Sequence, residues 1–444
     1  MVGNIFQIGF DDTDSVEGMC TTFLCYHLVK NLLSNSEIKT ELIDYPNLIR
    51  LNPNIPWKTR GNAALAIRLC TEMTKESLFA ICREHLEKFA THPRANSGLV
   101  ILAGLEIPKE IRHFSNRAMY SVLSISEANE LIDRFSLRSF AMRSRQGLVG
   151  ALAAIGNPLP GDHTFELIAY RSDLSCRRRI DKDRLLEMCR QTFPGTFSSY
   201  DGDYDRVMIS PHGPDPVYLG IRGETASDVL EAFSLISPMD GITGYMVVRS
   251  NQGTGEHLQN WISIANSKAY SSGRLCGRVA NVPRVGQGGH VYFTIVNTEG
   301  EMDCACYEPT REFRDQALSL IPGDLIEVGG GLRKATSLHS KILNVEYFKP
   351  LILETKFKLS NPECPECKIT MTSQGTGKGY ACRKCGRFDG SSQKTFTTLR
   401  RSLDLQLYLP PVKAHRHLTK PLQRHLFVKE KRDDAKCFVQ NWIC

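Results

Sequence analysis

The sequence contains no apolar run approaching the roughly 20 residues of a membrane-spanning helix, which excludes a helical membrane protein. It also lacks a P-loop GxxxxGK[ST], a kinase glycine-rich loop with its catalytic-loop partner, and a serine–histidine hydrolase signature. Any nucleotide chemistry must therefore use a site outside those motifs. There is no internal repeat and no long low-complexity tract, and no basic, apolar, small-residue leader opens the chain, so a cytosolic protein is expected. Neither sign of charge dominates: 55 Lys and Arg face 48 Asp and Glu, a formal +7 that permits a nucleic-acid partner without requiring one. Cysteine is not scarce. Fifteen is an odd number, which argues against a fully paired oxidised framework and for thiols or metal ligands. With 41% hydrophobic and 23% charged residues, 444 residues predict a globular chain of two to four domains.

The stretch GFDDTDSVEGMCTT, Gly9 to Thr22, places Asp11, Asp12 and Asp14 directly behind an apolar run, Ile5 to Phe10. The run reads as a buried strand, and Thr21 to Leu33 has its leucines at helical spacing. The acids thus occupy a strand-to-helix loop. Crowded carboxylates repel one another and raise their own pKa values unless a cation sits among them. The N–H groups of the following helix favour phosphate oxygens, and Mg2+ held by carboxylates together with substrate phosphates is the natural occupant. An Asx turn capping the helix is the plainer alternative, but a cap needs one acid, not three.

Further along, Ala63–Leu69 suggests a strand, Lys75–Ala90 a helix capped at Thr74, and Leu99–Ala103 a strand. A second set comprises Val217–Ile221, a helix Ala226–Ile236 capped at Thr225, and Tyr245–Val248. Two βαβ units make a ferredoxin-like sandwich, here split by an insertion. Between Gly273 and Glu346, short strand candidates separated by glycine turns suit an OB barrel, a frequent binder of single-stranded nucleic acid, although such a barrel can also serve only for packing.

Cys364-Pro365-Glu366-Cys367 and Cys382-Arg383-Lys384-Cys385 are two CxxC pairs fourteen residues apart, the spacing of one tetrahedral Zn2+ site; a redox role is the weaker reading. Lys413 to Arg432 carries seven Lys or Arg and one acid, which suits a phosphate backbone or a solvated tail. Asn52 to Asn62 is a proline-punctuated loop with Lys58 and Arg60, and Pro211 to Pro216 is a rigid loop around His212 and Asp215. Arg177, Arg178, Arg179 and Arg222 suit phosphate or solvent. Asp201, Asp203 and Tyr204 are candidates for holding a guanidinium.

These strings, with NPNIPWKTRGN at 52–62, PHGPDPVYLGIRG at 211–223, NQGTGEHL at 251–258, GGHVYF at 288–293 and RHLTKPL at 416–422, resemble the archaeal tRNA 2-agmatinylcytidine synthetase family, TiaS, over nearly the whole chain. The resemblance implies an α+β multidomain protein. Its parts are a kinase-like α/β ATP-binding catalytic domain (1–60 and 110–195), a split ferredoxin-like domain (61–109 and 196–250), an OB-fold β-barrel (263–350), a zinc ribbon (355–395) and a basic C-terminal tail (396–444). It implies ATP-dependent joining of agmatine to C2 of the wobble cytidine of isoleucine tRNA with a CAU anticodon, through a phosphorylated cytidine. ATP, Mg2+ and Zn2+ are the implied cofactors, and no membrane is involved. Asp11, Asp12 and Asp14 match the acidic cluster that would hold Mg2+. Thr21 matches a threonine that is itself phosphorylated, and Gly18, Thr22, Lys58, Arg60, His212 and Asp215 become candidates for binding ATP.

Two other classes compete. Asp12-Thr13-Asp14-Ser15-Val16 after a strand also fits the DxDx[TV] loop of haloacid dehalogenase-like phosphohydrolases, with Asp12 as nucleophile. The barrel, ribbon and basic tail alone would suit a non-catalytic RNA-binding protein.

Overall fold

A computed structural model describes residues 3–14, 19–58, 61–90, 92, 95–171, 173–175, 177–237, 240–336, 340–426 and 438–444. The chain divides into two compact units: Met1–Leu275, Val328–Tyr347 and Leu409–Cys444 form the first, and Cys276–Glu327 and Phe348–Tyr408 the second.

The first unit is built on a mixed sheet of β1 (Asn4–Asp11), β2 (Thr40–Leu42), β3 (Asn47–Arg50), β4 (Ala63–Thr71), β5 (Gly98–Ala103), β6 (Arg138–Ala141), β7 (Thr164–Tyr170), β8 (Thr196–Phe197), β11 (Val217–Gly223) and β12 (Gly244–Ser250). The small hairpin β9 (Tyr200–Asp201) and β10 (Arg206–Val207) stands apart from it. The helices of this unit are α1 (Thr21–Ser34), α2 (Lys75–Phe89), α3 (Lys109–Ala118), α4 (Ile125–Arg134), α5 (Gly147–Gly156), α6 (Lys182–Gln191) and α7 (Ala226–Ile236).

The sheet order is β6-β5-β1-β4-β3-β12-β7-β11-β8, with β2 paired to β4. Both expected βαβ units form, and each is split by a third strand. β1 lies antiparallel between β4 and β5, and β7 lies antiparallel between β12 and β11. The two units do not combine into one separate sandwich as the sequence reading had it. They form the two halves of one sheet, joined where β12 runs parallel to β3. Residues 61–109 consequently sit beside β1, because Phe6, Ile8 and Phe10 share their apolar layer with Leu65, Ile67, Leu99 and Ile101.

Local signals explain the helix starts. Thr74 caps α2 by accepting from the Ser77 N–H, and Thr225 with Asp228 makes a reciprocal capping box on α7. Helix α5, GLVGALAAIG, is buried along its entire length and has no polar face, so helical amphipathicity cannot reveal it.

Five strands close the barrel in the ring β13 (Ser272–Val279), β17 (Leu325–Arg333), β18 (Ile342–Ile352), β16 (Gly300–Cys306), β15 (Val291–Asn297), with β14 (Arg284–Val285) paired on β15. Helix α8 (Glu312–Leu318) belongs to the second unit. So does a ribbon of β19 (Lys356–Ser360) paired with β23 (Thr395–Leu399), and a three-stranded sheet β20 (Thr372–Ser373), β21 (Tyr380–Ala381), β22 (Phe388–Asp389). Asp324, fully buried, receives both terminal nitrogens of Arg401 within this unit, at 2.9 and 2.7 Å.

The segment 396–444 is not a free tail. Its part from Leu409 onward packs into the first unit, ending in α9 (Leu422–Leu426) and a C-terminal strip. There Phe438 and Trp442 pack around Tyr45, Trp442 edge-on to its ring. Lys429, Lys431 and Arg432 lie outside the described residues. No helix among the described residues is long and apolar enough to cross a membrane.

Candidate active site

Asp11 stands at the end of the interior strand β1, and the chain turns through Asp12 in the left-handed region, φ 55°. The Asp12 N–H donates to Asp11 Oδ1 at 2.7 Å, and Ser97 Oγ donates to the Asp12 carbonyl at 3.0 Å. Asp11 lies against α5 so closely that a Cβ on Gly150 would fall 1.8 Å from its Oδ2; only glycine fits there. Desolvation, with Asp12 and then Asp14 nearby, raises the Asp11 carboxyl well above the usual carboxylate range. Desolvation and Asp14 raise Asp12 to about 6, against hydrogen bonds from Asn96. These are carboxylates short of positive charge, and the donor set suits Mg2+.

The turn is tied to the helix it feeds. Thr13 Oγ1 donates to Thr21 Oγ1 at 3.1 Å, Thr21 opens α1, and the Thr22 carbonyl accepts from Tyr170 Oη at 3.0 Å. Both threonines are buried.

The acids face a cavity of about 370 Å3 that also receives Arg50, Lys58, Glu166, Asp215, Arg222 and His417. Arg50 ends β3 and donates from Nε to Gln252 Oε1 at 3.2 Å; Gln252 Nε2 in turn donates to Glu166 Oε2. Arg222 on β11 pairs with Glu166 at 3.5 Å and donates to His417 Nδ1 at 2.7 Å. Desolvation lowers Arg50 to about 10, offset in part by Glu166. The Arg50 charge, then desolvation, then Arg222 hold the His417 imidazole well below the usual histidine range, so it is neutral and accepts. His417 is placed by its own strip of chain, since Gly253 and Gly255 N–H donate to the His417 and Leu418 carbonyls at 2.9 and 2.7 Å.

Of the residues singled out in the sequence, Asp11, Asp12, Asp14, Thr21, Thr22, Lys58 and Asp215 meet in this cavity. Gly18 and Arg60 lie outside the described residues. His212 does not reach the cavity with Asp215. It faces a neighbouring depression and accepts from Arg206 Nη2 at 3.0 Å. Arg178 does not face phosphate freely: it donates to the carbonyls of Gly213, Asp215 and Val217 at 2.8–2.9 Å and so braces the 211–216 loop. Asp201, Asp203 and Tyr204 do not line the cavity either. Asp201 accepts from the Lys413 N–H, and the Lys413 ammonium sits 3.2 Å from the Tyr204 ring centre. Glu166 and His417 were missed. Glu166 lies within a plain strand pattern; His417 lies in the RHLTKPL string, whose resemblance marked the stretch without assigning the histidine a role.

In the second unit, Cys364, Cys367, Cys382 and Cys385 bring their sulfurs within 4.8 Å of one another. Each pair turns on a residue of positive φ, Lys368 at 53° and Gly386 at 75°. N–H groups return to the Cys364 and Cys382 carbonyls, both at 2.9 Å. Four thiols so placed suit one tetrahedral Zn2+.

Crowded carboxylates set in one cavity with two arginines and a lysine define an enzyme site whose donors suit a polyphosphate, and the same chain carries a five-stranded barrel and a cysteine ribbon. Comparison with known proteins makes this particular. The TiaS TCKD domain matches residues 7–144, the TiaS FLD domain 145–257 and the TiaS C-terminal zinc ribbon domain 361–403. The tRNA 2-agmatinylcytidine synthetase TiaS of Methanosarcina acetivorans, which acts on an isoleucine tRNA, is 39% identical, over 94% of this chain and 97% of its own. Two solved structures cover 97% of this chain and are themselves covered to 99%. The complex of TiaS with isoleucine tRNA and ATP superposes with a TM-score of 0.83 at 32% identity, and that of TiaS with isoleucine tRNA, AMPCPP and agmatine with 0.82 at 31%. The chain belongs to the TiaS family.

Proposed function

We propose that this chain uses ATP to join agmatine to C2 of the wobble cytidine of isoleucine tRNA with a CAU anticodon. One observation carries the reading: in a chain related to TiaS over nearly its full length, the acidic turn and the arginine wall face a single cavity. Asp11, Asp12 and Asp14 would hold Mg2+, which when bound neutralises the ATP phosphates and aligns them for transfer. Arg50, Lys58 and Arg222 supply the remaining positive charge, and Asp215 and Glu166 are the other carboxylates of the cavity, suited to a guanidinium.

The chemistry follows from the leaving group. Oxygen on C2 departs poorly, so it first takes a phosphoryl group from ATP. The primary amine of agmatine then attacks C2, the C2–O bond breaks, phosphate leaves and the amine nitrogen gives up a proton. Thr21, which opens α1 and lines the same cavity, would carry a phosphoryl group of its own, a reading supported by the helix N-terminus it occupies. The barrel and cysteine ribbon serve as RNA-binding parts, and a tRNA substrate places the protein in the cytoplasm.

The phosphohydrolase reading is disfavoured because β1 is antiparallel to both neighbours, so the acids do not lie at the carboxyl edge of a parallel sheet. Labelled agmatine entering tRNA only when ATP is present is the expected result. Incorporation without ATP, or release of phosphate from simple phosphoesters with no incorporation, would overturn the proposal.

A further inference from the structure

Trp57 lines the catalytic cavity yet leaves 55% of its surface exposed, so it stands at the opening rather than in the interior. Its loop is rigid. Buried Asn52 donates from Nδ2 to the Tyr270 carbonyl at 2.7 Å and receives at its own amide oxygen from the Asn54 N–H. Asn62 Nδ2 donates to the Asn52 carbonyl at 2.7 Å, and Asn54 Nδ2 donates to Ser272 Oγ at 2.7 Å. Tyr270 sets its ring edgewise to the indole, 6.4 Å between centroids. Two cations attend the same loop: Lys58 Nζ donates to the Ile55 carbonyl at 3.4 Å, and Arg416 Nη1 to the Pro53 carbonyl at 3.2 Å.

A large flat ring held out of the core on a braced loop, with positive charge alongside, is the arrangement that stacks an unpaired base while cations meet its phosphates. On the function proposed above, Asp11, Asp12 and Asp14 would take the ATP phosphates, which leaves the opening beside Trp57 to the polymer. A cytidine entering the cavity must be unstacked from its neighbours, and the neighbour left outside loses a stacking partner.

We infer that Trp57 replaces that partner, stacking on the adenine that follows the reacting cytidine in CAU. The inference rests on the function proposed above. Trp57 is thus a substrate-positioning residue: it stacks on the flanking base by its flat face and holds the RNA while the cytidine turns inward.

The test uses full-length tRNA with 2-aminopurine in place of that adenosine, the intact protein, and the variants Trp57→Ala and Trp57→Phe. Binding to the wild type should change the 2-aminopurine fluorescence; Trp57→Ala should abolish the change and Trp57→Phe retain part of it. In steady state, Trp57→Ala should raise KM for tRNA about ten-fold, with KM for ATP and kcat within about two-fold. A rise in KM for ATP instead would assign the indole to the nucleotide and overturn the inference. So would unchanged fluorescence and KM in an active Trp57→Ala enzyme. A wild-type protein that gives the fluorescence change and leaves cytidine unmodified would count against the proposed reaction and not against the stacking.

Discussion

Asn251 grips the backbone of Arg50 from both sides, its Oδ1 accepting from the Arg50 N–H at 2.8 Å and its Nδ2 donating to the Arg50 carbonyl at 3.0 Å. The side-chain amide thereby does for the end of β3 what a neighbouring strand's peptide would do. Its successor, Gln252, takes the guanidinium. Backbone and side chain of one cavity arginine are thus fixed by adjacent residues, which gives the NQGTGEHL string a physical purpose.

Asn251→Ala leaves the Arg50 N–H and carbonyl without these partners, at a cost of about 1–3 kcal/mol. Denaturant unfolding should register that loss, and kcat/KM should fall by at least about ten-fold as Arg50 loses its place. Full activity in a destabilised Asn251→Ala protein would show that Arg50 needs no such clamp.

The C-terminal segment is structural as well as basic. Arg424, almost wholly buried, pairs with Glu224 at 2.5 Å and Asp162 at 2.7 Å, and donates to the Gly253 carbonyl at 2.5 Å. Arg424→Ala strands Glu224 in the interior and should cost about 3–5 kcal/mol, read as a lowered thermal midpoint. A chain ending near Ser250 loses His417 from the cavity and uncovers the apolar face that Phe438 and Trp442 cover, so it should aggregate or lack ATP chemistry. A soluble, ATP-consuming fragment of that length would contradict the packing described.

Zinc should be bound at one ion per chain and lost in Cys382→Ser, since three remaining thiols leave the tetrahedron incomplete. Metal analysis of the two proteins decides it, and equal zinc content would remove the ribbon assignment.

His417 gives a pH dependence of definite sign. Its folded pKa lies below its unfolded value, because Arg50 and Arg222 flank it, so the unfolded chain takes up the proton first. The stability tied to the neutral ring is full above about pH 6.5 and drains away as pH falls below that. Thermal midpoints of wild type and His417→Gln should therefore converge between about pH 6.5 and 5. Parallel pH curves would mean that the ring does not feel the arginines.

Much of this was legible in the sequence because it is local. The caps at Thr74 and Thr225, the strand–acid–helix order around Asp11 and the two cysteine pairs each depend on residues a few positions apart. Glu166 was not legible. It acquires its role only when β7 comes to lie beside β11 and brings it to Arg222, a long-range pairing that leaves no mark on its neighbours in sequence. The same holds for His417, whose basic surroundings read as a tail until Arg424 is found paired with Glu224 and Asp162, 200 and 262 residues before it. The position of β1 was hidden for a related reason. Spacing reveals that β4, α2 and β5 form a unit, but not that β1 slips between its two strands.

In the reaction proposed here the acidic turn drives ATP-dependent attachment of agmatine to the wobble cytidine. Its most direct test is mass analysis of the anticodon nucleosides after incubating isoleucine tRNA, agmatine, ATP and Mg2+ with wild type or Asp12→Asn. Wild type should convert cytidine to a product heavier by agmatine less one water, and Asp12→Asn should leave cytidine unmodified while still retaining the tRNA in a binding assay. Unmodified cytidine from the wild type, or undiminished product from Asp12→Asn, would contradict it.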